Sequence, residues 1–188
     1  MQKENYQNIE KGDLLIAHPF MSDGWFKRTV VFVVEHTAEG SLGFVMNKPA
    51  VLRLKDLLPE YPDLVYPVFK GGPVACDQLF FIHRFPEEVE GSLHISEGYY
   101  WGGNFNQLMN LVRKRKAGYE TTRFFLGYSG WESGQLETER NENAWVCAKG
   151  NRSELLKINP DEYWEKILKD TGSNLSVFAH YPFEPNMN

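Results

Sequence analysis

Apolar residues fall in short blocks along this chain, and the blocks have two different periods. Leu14-Leu15-Ile16-Ala17 is a brief run stopped by Pro19, and Thr29-Val30-Val31-Phe32-Val33-Val34 is a longer, β-branched one. Continuous runs of this length predict strands, the second buried on both faces. Gly40 and Gly43 predict a hairpin connection across residues 37–43, leading into Phe44-Val45-Met46. Val65 to Phe69 reads as an edge strand because Pro67 interrupts it. Leu79 to His83, Leu93 to Ile95, Tyr99 to Trp101 and Ala144 to Ala148 predict further strands. Leu54, Leu57 and Leu58 recur at helical spacing, giving a turn or two before Pro59 and Pro62. Asn104 can cap a helix from Phe105 to about Lys116, with Leu108, Met109, Leu111 and Val112 on its apolar stripe. Asn159-Pro160 opens another, ending near Asp170 and burying Tyr163, Trp164, Ile167 and Leu168. Strands and helices do not alternate regularly, so the pattern predicts an α+β fold with mainly antiparallel pairing.

One stretch stands apart, Phe124 to Glu139, FFLGYSGWESGQLETE. It begins as a buried strand, Phe124-Phe125-Leu126. Gly127 and Gly130 then predict a break, since glycine tolerates backbone shapes other residues do not. Trp131 sits at the break. Ser133 stands where a helix cap is expected, with Glu137 and Glu139 in the early turns. The helix carries Leu136 as its only strong apolar residue. A helix so polar needs side-chain hydrogen bonds to anchor it.

Composition narrows the class. With 188 residues and 42% hydrophobic content the chain can bury a core. No repeat or long linker divides it, which predicts a single domain over 1–188, with 1–11 as a flexible polar leader. The net charge of -5 argues against sequence-independent binding to nucleic acid or to an anionic membrane. Two cysteines far apart, Cys76 and Cys147, predict free thiols. No apolar stretch approaches the roughly 20 residues of a membrane span, and the N-terminus lacks a signal-peptide core. These features predict a cytoplasmic protein.

The candidate chemistry is thin. Ser129, in Gly127-Tyr128-Ser129-Gly130-Trp131, sits as a nucleophile elbow would, with His180 downstream. An elbow needs glycine two residues after the serine, where this chain has Trp131. A turn serine bonding its own backbone fits better. The histidines His18, His36, His83, His94 and His180 are scattered, and none pairs with another ligand at zinc-like spacing. No metal or cofactor is therefore expected. Arg113-Lys114-Arg115-Lys116 complements a helix C-terminus. Gly71-Gly72-Pro73 and Trp101-Gly102-Gly103-Asn104 lack the lysine and glycine spacing of phosphate loops and read as turns.

Taken together, the motifs resemble the bacterial YqgE/AlgH family over nearly the whole chain. Its opening, Gly-x-Leu-Leu-Ile-Ala-x-Pro, is met from Gly12 to Pro19. Asp23, Phe26, Arg28, Val30 and Val31 match its next element. His36, Gly40, Gly43 and Asn47-Lys48-Pro49 match the segment after that. Gly71 to Val74 match its glycine turn. The family's Gly-Tyr-Ala-Gly-Trp-x-x-Gly-Gln-Leu-Glu-x-Glu is met at Gly127, Tyr128, Gly130, Trp131, Gly134, Gln135, Leu136, Glu137 and Glu139. Ser129 departs from it, standing where the family has alanine. The resemblance implies one α+β domain with a mixed, mainly antiparallel, split barrel-like sheet and a few flanking helices. It implies no established activity; some members are called transcriptional regulators through a genetic link to alginate production.

The expectation is a non-catalytic protein that binds a small molecule or another protein, with any effect on transcription indirect. Its surface is expected around the glycine-hinged corner, at Tyr128, Trp131, Gln135, Glu137 and Glu139, with Arg28, His36 and Asn47 as neighbours. The alternatives are a hydrolase with a Glu or His base, and a regulator that contacts DNA directly.

Overall fold

The computed structural model describes residues 8–150 and 154–180. Residues 1–7 of the expected leader and the tail from 181 lie outside that range. Within the leader's described part Ile9 is 4% exposed, Asn8, Glu10 and Lys11 are exposed, and Lys149 Nζ donates to Glu10 Oε2 at 2.7 Å.

Ten strands form one curled sheet. They are β1 (Asp13–Ala17), β2 (Val30–Thr37), β3 (Gly40–Val45), β4 (Pro49–Arg53), β5 (Pro67–Lys70), β6 (Val74–His83), β7 (Leu93–Ser96), β8 (Tyr99–Trp101), β9 (Thr122–Glu132) and β10 (Trp145–Lys149). The main path runs β10-β1-β2-β3-β9-β6-β8-β7, with β4 pairing β5 and β5 pairing β9. All pairings are antiparallel except β5 with β9. The helices are α1 (Leu54–Leu57), α2 (Phe105–Arg113), α3 (Gln135–Asn141) and α4 (Pro160–Asp170), followed by a 3-10 turn at Asn174–His180. The fold is α+β, a half-closed barrel with flanking helices.

Several elements differ from expectation for local reasons. The 37–43 connection is shorter, since Thr37 pairs with Gly40 and only Ala38-Glu39 turn the chain. β4 follows Asn47-Lys48 unannounced; its apolar run, Ala50-Val51-Leu52, is only three residues long, and Val51 and Leu52 are exposed. α2 stops at Arg113, and Arg115 takes a left-handed φ of 56°, so the basic run lies in the turn beyond it. α4 matches its prediction, with Tyr163, Trp164, Ile167 and Leu168 buried.

The largest correction concerns β9. Gly127 and Gly130 do not end the strand, which runs 11 residues to Glu132. Gly127 instead allows a kink, at φ +69°. Before it, Phe124 to Leu126 lie between β5 and β6; after it, Ser129 to Glu132 pair with β3. The kink lets one strand change neighbours. Phe125 and Phe124 point to opposite faces. Phe125 enters the larger core with β1, β2, α4 and Leu136; Phe124 enters a second one with α1 and α2.

The exchange of neighbours depends on close backbone contact. Gly71 N donates to Leu126 O, and Val45 N to Gly71 O, both at 2.8 Å. A Cβ on Gly71 would stand 2.2 Å from Gly127 O, and one on Gly72 would stand 2.1 Å from the Tyr128 carbonyl carbon. Only glycine fits there.

Two predictions follow from this packing. Gly72→Ala destabilises the fold by about 3 kcal/mol, because backbone on both sides must move. Gly24→Ala, with nothing within 4 Å of its Cβ, changes stability by under about 0.5 kcal/mol. Urea titration of the two variants checks the contrast. The second concerns the thiols. Cys76 is exposed, whereas burial pushes the Cys147 thiol up to about 11. Only about one in a thousand Cys147 thiols is then ionised at pH 8. Mass spectrometry after brief iodoacetamide treatment should find Cys76 alkylated first.

Candidate functional site

β9 ends in a turn at Glu132-Ser133-Gly134. Gly134, at φ +74°, is the residue before α3, so the cap expected at Ser133 is displaced by one. Ser133 Oγ instead donates to Ala38 O at 2.7 Å, tying the turn to the β2–β3 hairpin. Leu136 anchors the helix from below with no exposure. Asn143, at φ 60°, then turns the chain into β10. Trp131 at the end of β9 and Trp145 at the start of β10 therefore flank the same short helix.

Their indoles converge on one carboxylate. Trp131 Nε1 donates to Glu139 Oε2 at 2.9 Å, and Trp145 Nε1 donates to the same oxygen at 2.8 Å. Gln135 Nε2 donates to Glu139 Oε1 at 2.9 Å, and Glu132 N donates to Gln135 Oε1 at 2.9 Å. Each member thus has a partner, and the polar helix is anchored by its side chains. The rings meet at 6.0 Å in a T-shape. Phe26 completes the cluster, 6.3 Å from Trp131 and 5.3 Å from Trp145.

An open cleft of about 580 Å³ lies over this cluster. Phe26, Trp131 and Trp145 form its aromatic wall, and Asp23, Glu139 and Glu142 supply carboxylates. No lysine or arginine among the described residues lines it. His18 also lines it; burial pushes its pKa below the ordinary histidine value, and its Nδ1 accepts from Phe20 N at 3.3 Å. The ring is neutral at neutral pH. Trp131 is 6% exposed, so little of it is open to the cleft.

Of the eight residues expected here, Trp131, Gln135 and Glu139 line the cleft. The other five lie elsewhere for clear reasons. Arg28 reaches over Trp164 on α4, 4.9 Å from the ring centroid. Asn47 braces backbone, its Oδ1 accepting from Val30 N at 3.0 Å and its Nδ2 donating to Arg28 O at 2.9 Å. His36 and Glu137 pair at 3.4 Å beside the β2–β3 hairpin, with His36 Nδ1 2.8 Å from Ser41 Oγ. Tyr128 packs edge-on against Phe80 at 5.6 Å. Ser129 is fully buried in the strand, and its Oγ donates to Gly71 O at 3.1 Å instead of closing a turn of its own. His83, at the end of β6, is also fully buried, with Nε2 3.1 Å from Gly102 O. Sequence reasoning missed His18, Phe26, Glu142 and Trp145 as cleft residues. Trp145 carried the one usable signal, an indole N–H in a buried strand that requires an acceptor.

Among the described residues no group of three His, Cys, Asp or Glu side chains is arranged to hold a metal. No helix there is long and apolar enough to cross a membrane.

A curled, mainly antiparallel sheet of this kind is shared with known proteins. A family model described as AlgH-like matches residues 14–176. The chain belongs to that family. It is 37% identical over 181 residues to a UPF0301 protein of Cytophaga hutchinsonii, covering 96% of this chain and all of that one. A UPF0301 protein of Bacteroides thetaiotaomicron is 36% identical over 179 residues, covering 95% and 91%. The solution structure of the AlgH protein from Pseudomonas aeruginosa superposes with a TM-score of 0.71 at 28% identity, covering 95% of this chain and all of that one. A Corynebacterium diphtheriae protein has the same fold, with a TM-score of 0.72 at 16% identity, covering 93% and 94%.

Glu139→Ala leaves two buried indole N–H groups without their acceptor and costs about 2 kcal/mol or more. Glu139→Gln keeps one carbonyl oxygen for the indoles and costs about half as much. Thermal unfolding gives the ranking, and faster exchange of the two indole protons in the alanine variant locates the effect.

Proposed function

We propose that this chain is a non-catalytic binding protein whose cleft beside α3 takes an apolar group ending in a positive charge. A small organic cation or a basic side chain of a partner protein supplies that group. The observation that carries the reading is the pairing of an aromatic wall with carboxylates in a cleft lined by no lysine or arginine. Aromatic side chains favour an apolar body, and the carboxylates attract a cation and repel anions. Any effect on transcription is then indirect, since an acidic cleft repels phosphate.

A hydrolytic reading has less support. Ser41, His36 and Glu137 form a chain, but Ser41 is buried and none of the three lines this cleft. Ser129 has its hydroxyl committed to Gly71.

The test is an NMR titration of labelled protein with phenethylamine, and separately with phenylacetate as its anionic counterpart. Phenethylamine should move the indole resonances of Trp131 and Trp145, and phenylacetate should not. Glu142→Gln, at the exposed rim, should weaken amine binding about threefold. Equal shifts from both probes, or none from the amine, would refute the reading.

A further inference from the structure

A second cleft, of about 340 Å³, lies between the β4–β5 edge, the start of β9 and the 156–160 segment entering α4. Its chemistry is the reverse of the first. Arg123 lines it and is 6% exposed. Nη1 donates to Met46 O at 2.7 Å and Nη2 to Leu156 O at 2.8 Å, and the guanidinium lies 4.4 Å from the Phe69 ring centroid. Two carbonyls and a ring face orient the cation without neutralising it. Among the described residues no carboxylate lies within ion-pair distance of Arg123. Burial lowers its pKa, yet a guanidinium stays protonated at neutral pH. A buried cation left without an anion is costly, and buried charges are ordinarily paired.

Two tyrosines line the same cleft. Tyr66 and Tyr119, in contact at 4.5 Å, add a flat aromatic wall, and Lys157 adds a cation that Glu120 and Glu154 partly engage.

We infer that this second cleft is a binding site for a small monocarboxylate with a flat apolar body. The carboxylate pairs with the Arg123 guanidinium, and the apolar body lies along the tyrosines. Two of the five guanidinium N–H groups are used by the carbonyls, which leaves three as donors. A carboxylate matches a guanidinium in geometry and balances its single charge. The cavity is the size of a small-molecule site.

The test uses the full-length labelled protein at constant ionic strength, titrated with benzoate, with neutral benzamide and with phenyl phosphate. Benzoate should move the amide resonances of residues 119–123 and 155–159 and raise the melting temperature. Benzamide should do neither. Arg123→Met should weaken benzoate binding about tenfold or more, and Tyr119→Ala, at a half-exposed residue of the aromatic wall, about threefold. Should Arg123→Met fail to fold, Tyr119→Ala decides, and unchanged affinity in it overturns the proposal. Equal response to benzamide, or no response to benzoate at about 20 mM, also overturns it. Phenyl phosphate binding more than about tenfold tighter than benzoate overturns the carboxylate assignment.

Discussion

The structure depends on one close crossing of backbones. Gly71 sits between the end of β3 and the middle of β9. It donates to Leu126, accepts from Val45 and also takes the Ser129 hydroxyl. No side chain can stand at Gly71 or Gly72 without meeting β9 at under 2.5 Å. This contact, with the kink at Gly127, lets β9 leave β5 and join β3. One strand therefore belongs to both halves of the curled sheet. Its two phenylalanines, 124 and 125, supply both cores.

The site follows from where β9 stops. Beyond Gly130 the strand projects Trp131 to the side that α3 covers. A seven-residue helix with one buried apolar side chain has little intrinsic stability. What holds it is Glu139 between two indoles, Gln135 across to Glu132, Ser133 to the hairpin and His36 to Glu137. The same carboxylate that fastens the helix gives the cleft its acidic floor. Fastening and the charge of that floor thus share atoms, and Glu139 cannot be neutralised without loosening the cover.

The two clefts divide the electrostatics of the molecule. Among the described residues, one presents carboxylates with no lysine or arginine, and the other holds a buried guanidinium with no carboxylate. The net charge of -5 conceals this, because a sum over the chain says nothing of where each sign collects. Both clefts take residues from β9 or its immediate continuation, so the strand that joins the halves of the sheet also touches both sites.

How much of this could be read in advance varies by element. β1, β2, α4 and the start of β9 were legible because each is a continuous apolar run or a capped amphipathic stripe, and such patterns depend on neighbours in sequence alone. Membership of the AlgH-like family was legible for a related reason: its glycines and the Trp131 to Glu139 segment are adjacent residues at fixed spacing. The length of β9 was not. Gly127 and Gly130 have the same local preferences whether a strand ends or kinks, and the strand persists because β3 and β6 offer hydrogen-bond partners from about fifty to ninety residues away. For the same reason Arg28 and Asn47, close to the site by motif, brace Trp164 and the backbone of β2, whereas Trp145 shares the carboxylate with Trp131. Local patterning selected the elements and one polar helix rich in carboxylates. Long-range pairing decided which indoles those carboxylates hold and left Arg123 buried beside a cavity, because burial and partnership are properties of the packed chain.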